Sequence, residues 1–260
     1  MKKLLIAFIV CSLFACSNND TSKETTKDTS STTTTTTAPV AEAGKCAGYY
    51  IFQEGVVIEN ASFDENGKET SRQVSKVLSV SSSGNKISSE VRMNTTGADS
   101  SDAFTGKYSC DGENLYVDIS SLFAKMEAKG ATIEGGAIVF PINIADGQTL
   151  PEAQYTFTMN AEGQQMKTTV HIRDRKVTGN ETVTTAAGTF NCYKIAANID
   201  ADIDIPGMDE DTKKMMQSMK SKGPKQKMVM YFDPAVSIVR VEMYSNDKLQ
   251  NRSEIVSIKK

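Results

Sequence analysis

Residues 193–205 carry an apolar or small side chain at every second position: Tyr193, Ile195, Ala197, Ile199, Ala201, Ile203 and Ile205. That period belongs to a pleated strand with one buried face, because a helix would scatter the same side chains around its axis. The pattern recurs along residues 46–260. Ile87, Val91 and Met93 alternate with Lys86, Glu90 and Arg92, Tyr155, Phe157 and Met159 alternate further on, and Met166, Thr168, Val170 and Ile172 alternate after them. Between such segments stand Asn66-Gly67, Asp111-Gly112 and Ala161-Glu162-Gly163, which supply the turns that join strands as hairpins. The expected fold is all-β, with about ten to thirteen mostly antiparallel strands in a single strongly curved sheet, a half-open barrel or clam. A closed barrel or a β-sandwich is the alternative.

Two short helices are expected beside the strands. Ser120 or Ser121 can cap the first, with Leu122, Phe123 and Met126 on one stripe and Gly130 at its end. The second covers residues 209–222. Asp209 is its cap, Glu210 and Asp211 suit the positive end of the helix dipole, Lys220 and Lys222 suit the negative end, and Gly223-Pro224 stops it. Met215, Met216 and Met219 share a face of this helix, with Met208 just before it. A methionine face over a sheet is ordinarily core. Its sharper reading is a soft lid over a hydrophobic ligand, or a patch that touches anionic lipid, since thioethers adapt to varied shapes.

The amino terminus has the shape of a secretory signal. Lys2 and Lys3 precede an apolar run over residues 4–14, too short to span a membrane. Leu13-Phe14-Ala15-Cys16 resembles the lipobox of bacterial lipoproteins, which implies removal of residues 1–15 and lipidation of Cys16. Residues 16–44 then form a lipidated start and a Thr-rich tether that cannot bury a core, and residues 45–260 form the β domain. As a flexible coil the tether would span about 30 Å, and roughly 90 Å fully stretched. The membrane is thus the expected partner through the N-terminal lipid. Ser17 favours the outer membrane by resemblance to lipoprotein sorting rules, and the single acid in Ser17-Asn18-Asn19-Asp20 leaves the leaflet open.

Composition narrows the chemistry. The formal charge of -3 becomes about -5 once Lys2 and Lys3 are removed, so nothing attracts nucleic acid. Trp is absent and the only His is His171, which falls on the wet face of its strand and reads as a plain surface residue. No Gly-x-Ser-x-Gly elbow, Walker loop or dinucleotide fingerprint occurs. No enzyme activity and no cofactor are therefore expected. Asp200, Asp202 and Asp204 invite a calcium reading, yet Ile205 stands where an EF-hand needs glycine and Asp211 where it needs glutamate. They remain a weak acidic candidate. Cys46, Cys110 and Cys192 suit one disulfide and one buried thiol, with the pairing open.

The stretch 184–195, Thr-Thr-Ala-Ala-Gly-Thr-Phe-Asn-Cys-Tyr-Lys-Ile, resembles the TapB-like family of bacterial lipoproteins, related to a widespread exported domain of unknown function. Tyr108-Ser109-Cys110-Asp111-Gly112, Asp146-Gly147-Gln148-Thr149-Leu150-Pro151 and residues 229–244 share the similarity, which spans most of residues 46–260. These are turn and strand signatures without catalytic residues. The sequence departs from the family at residues 234–240, where a glycine-rich turn is usual. The resemblance implies a lipid-anchored envelope module with a structural or protein-interaction role. The alternative is a carrier or sensor of a hydrophobic small molecule, held on the concave sheet face beneath the methionine helix.

Overall fold

The computed structural model describes residues 46–96, 103–123, 130–161 and 164–260. The expected signal sequence, Cys16, the expected tether, Met126 and the Glu162-Gly163 part of one expected turn lie outside the described residues. Among the described residues thirteen strands form one antiparallel sheet: β1 Val57–Asp64, β2 Glu69–Ser83, β3 Lys86–Thr95, β4 Phe104–Cys110, β5 Asn114–Asp118, β6 Thr132–Gly135, β7 Ala137–Pro141, β8 Ala153–Ala161, β9 Gln164–Thr185, β10 Gly188–Asp204, β11 Gln226–Asp233, β12 Ser237–Ser245 and β13 Lys248–Lys259. Their order is β6-β8-β9-β10-β11-β12-β13-β1-β2-β3-β4-β5-β7. The sheet curls into a nearly closed barrel with one seam.

Turn chemistry positions the hairpins as the sequence predicts. At β1–β2 the Asp64 carboxylate accepts from the backbone N–H of Asn66 and of Lys68, each at 2.9 Å, while Gly67 takes a φ of 79°. Asp111 does the same at β4–β5, accepting from the N–H of Glu113 and Asn114. Where a glycine-rich turn would be usual, Ser237 itself adopts the left-handed φ of 91°. The Asp233 carboxylate supports that turn by accepting from Ala235 and Val236 N–H.

The seam lies between β6 and β7, and Gly136 alone separates these two edge strands in the chain. One extended segment therefore pairs with β8 through its first half and with β5 through its second. Close approach dictates Gly135: a Cβ there would stand 2.7 Å from Tyr155 Cβ and 2.9 Å from its Cα. Backbone cannot yield cheaply, so Gly135→Ala should lower stability by roughly 1–3 kcal/mol. A urea midpoint equal to that of the natural protein would disprove the close-packing reading.

Arg175 bridges the seam from inside. Asp174 and Arg175 of β9 oppose Ala197 of β10 as a bulge, and Asp174 takes a φ of 52°. The extra residue reverses the alternation, so Arg175 and Val177 both become fully buried. The Arg175 guanidinium donates through Nη1 to the carbonyl oxygens of Val139, on β7, and Pro151, before β8. It also lies 4.9 Å from the centroid of Phe140. Residues 147–150 zip onto the same stretch of β9: Gly147 and Leu150 N–H donate to Val177 and Arg175 carbonyls, and Val177 N–H donates to Gln148. The stretch before Pro151 is thus the barrel's closing piece.

Side chains fill the interior. Phe140 stacks on Phe232 at 5.0 Å with the rings nearly parallel, and Tyr49 packs on Phe232 and edge-on to Phe52. Tyr49 and Phe52 come from the segment before β1, which turns into the barrel as a plug through a 3-10 turn at Tyr50–Phe52. Cys46 at the start of that plug is bridged to Cys110 at the end of β4.

Two helical details differ or sharpen. The first helix, α1, is a single described turn, Ile119–Leu122, and its cap is Asp118 in place of the expected Ser120 or Ser121. The Asp118 carboxylate accepts from Ser121 N–H and Ser120 hydroxyl, because the strand ends one residue earlier than the serines suggest. The second, α2, runs Glu210–Lys222 and is capped as expected by Asp209, whose Oδ1 accepts from Thr212 N–H at 2.8 Å. That bond holds the Asp209 carboxyl below its ordinary range.

Candidate functional site

A cleft of ≈ 910 Å³ opens against the seam, over β2–β5. Strand register places most of its polar residues on one face, while Ser89 and Tyr108, opposite each other on β3 and β4, line it from the inward face. Ser81 is opposite Ser88, Ser88 opposite Ser109 and Ser109 opposite Tyr116, while Glu90 stands between Ser79 and Lys107. The intervening residues Ile87, Val91, Cys110, Leu115 and Val117 are buried on the other side. The far wall is the exposed main chain of Gly135-Gly136-Ala137, where the chain crosses the seam. Tyr116 donates to the Asp111 carboxylate at 2.7 Å, a bond that pulls the Asp111 pKa down and pushes the Tyr116 phenol up. The cleft offers hydroxyls, both signs of charge and the main chain of Gly135-Gly136-Ala137. That set serves recognition by hydrogen bonds, and no histidine or cysteine lines it.

A second polar group lies on the β9–β10 hairpin. His171 is directly opposite Asp200, and Asp202 is one pleat further along. His171 Nε2 lies 3.0 Å from Asp202 Oδ2, and Arg173 Nη1 lies 3.4 Å from Asp200 Oδ2. One donor atom from each of His171, Asp200 and Asp202 fits within a 4.8 Å spread. Asp204, the third member of the acidic candidate, pairs in register with Lys167 and stands outside that group.

The cysteines resolve into the Cys46–Cys110 bridge and a buried free thiol at Cys192. Burial, with Asp233 nearby, pushes the Cys192 thiol up to about 12, so at neutral pH it is protonated and a poor nucleophile.

The DUF3108-like family profile matches residues 53–255. The chain belongs to the DUF3108-like family. No curated protein matches it. Two solved structures share the fold. One is a candidate exported protein with a YmcC-like fold from Bacteroides fragilis NCTC 9343, at 20% identity and a TM-score of 0.60, covering 82% of this chain and 99% of that one. The other is a candidate lipoprotein from Parabacteroides distasonis ATCC 8503, at 20% identity and a TM-score of 0.60, covering 81% and 99%.

In this DUF3108-like barrel the methionines of the expected lid are not gathered by what is described. Met215 is 57% exposed and Met208 half-buried, while the side chains of Met216 and Met219 lie outside the described residues. Sequence reasoning missed the cleft and Arg175. The run of serines at 79, 81, 82, 83, 88 and 89 signalled a polar face, but only pairing with β4 and β5 builds a wall from it. A lone arginine in a strand carries no mark of burial, because the bulge that turns it inward is a property of two strands together.

Proposed function

We propose that this DUF3108-like chain is a lipid-anchored envelope module of the outer membrane, and that it works by contact with another envelope protein through the polar cleft. The observation that carries this reading is the filled interior: the large side chains of Arg175, Phe140, Phe232, Tyr49 and Leu115 are all fully buried, so a partner meets the outer surface. The lipobox at Cys16, and the names of the two structural relatives as a candidate exported protein and a candidate lipoprotein, support the location. The turn and strand motifs named above support the narrower TapB-like assignment. The hydrophobic-carrier reading is the weaker one, since the core side chains take the space that a ligand on the concave face needs.

The test is photo-crosslinking in intact cells from a reactive residue at Ser88 or Lys107, with exposed Lys248 as control. One recurring protein adduct from the cleft positions, absent from Lys248, is the expected result. No recurring adduct, or a stoichiometric apolar molecule co-purifying with the domain, would overturn the contact reading. Cys16→Ala should shift the protein out of the membrane fraction; retention there would defeat the anchor.

A further inference from the structure

We infer that His171, Asp200 and Asp202 form a binding site for a zinc-class divalent cation on the outer face of the β9–β10 hairpin. Two neighbouring strands fix the three positions. Across the pair, Val170 and Ile172 are buried with Ile199 and Ala201 packed beside them, so the alternation turns His171, Asp200 and Asp202 together to the opposite face. The donors are therefore carried on paired sheet backbone, which holds a constellation better than a loop does.

The donor set selects the ion. An imidazole nitrogen with two carboxylates suits zinc and its late first-row neighbours, whereas calcium requires six to eight oxygens. His171 is the observation that lifts the group above a run of acids. It comes from the other strand, its side chain is only 13% exposed, and its Nε2 already converges on Asp202 at 3.0 Å. Tetrahedral zinc places its ligand atoms about 3.4 Å apart. The three donors already lie within 4.8 Å of one another, little more than that separation, and each is carried on a rotatable side chain. Arg173, 46% exposed at the side chain, faces Asp200 and is long enough to swing into solvent when the cation takes its place. Three protein ligands leave a position open for water or for a group on a partner. Asp204 is excluded because Lys167 stands across from it.

The experiment is calorimetric titration of the untagged mature chain with Zn²⁺, followed by Co²⁺ absorption spectroscopy. One equivalent of Zn²⁺ should bind, and Co²⁺ should show d–d bands of a nitrogen- and oxygen-ligated site. His171→Gln and Asp202→Asn should each weaken binding by about tenfold or more, since loss of a direct ligand costs at least what loss of its supporting contact does. Asp204→Asn should bind as the natural chain does. Thermal unfolding in chelator, unchanged between variants and natural chain, separates loss of the site from loss of the fold. Absence of binding, or equal affinity in His171→Gln, would overturn the assignment.

Discussion

Arg175→Ala should lower the unfolding free energy by roughly 3–5 kcal/mol, as measured by urea denaturation. The change removes the Nη1 bonds to Val139 and Pro151 carbonyls and the contact with Phe140, and it empties a fully buried volume at the seam. Two opposing terms decide the size. Burial of the guanidinium is itself costly, which is why desolvation lowers its pKa to about 10, and neither Nε nor Nη2 meets an acceptor among the described residues. Against that, the clasp satisfies two carbonyls that face the gap between sheet edges. Arg175→Met separates the terms, because methionine fills much of the space and carries no charge. It should remain less stable than the natural protein by roughly 1–3 kcal/mol, the cost of losing two part-buried hydrogen bonds to the Val139 and Pro151 carbonyls. A methionine variant as stable as the natural chain would show that the arginine is tolerated and does not clasp.

Reduction of the Cys46–Cys110 bridge should cost about 4 kcal/mol of stability, from the chain entropy of a loop closed across 64 residues. The bridge ties the plug that carries Tyr49, Ile51 and Phe52 to the end of β4. Its loss frees both the unfolded chain and the entry of that plug into the barrel. Denaturation with and without reductant, on a Cys46→Ala/Cys110→Ala control, checks this. Equal midpoints for oxidised and reduced protein would mean that packing of Tyr49 and Phe52 alone holds the plug.

Strands were legible wherever one face is wet, because alternation of Ile87, Val91 and Met93 against charged residues is imposed by the local pleat. Turns were legible from Asp64, Gly67, Asp111 and Gly112, whose side chains or absent Cβ act within four residues. The cap of α1 was misplaced to the serines because Asp118 reads equally well as the last residue of a strand. The acidic triplet was misgrouped for a different reason: spacing along β10 put Asp204 with Asp200 and Asp202, while register with β9 puts His171 there and sets Lys167 against Asp204.

By itself the sequence determined an all-β chain with short-range turns along it, since each of those signals acts between near neighbours. Only the tertiary structure decided that β6 and β7 would be the two edges, that Gly136 would step between them, and that Arg175 would reach across. The physical reason is accumulation: twist and bulges summed over thirteen strands set where the edges meet, and no local window of residues contains that sum.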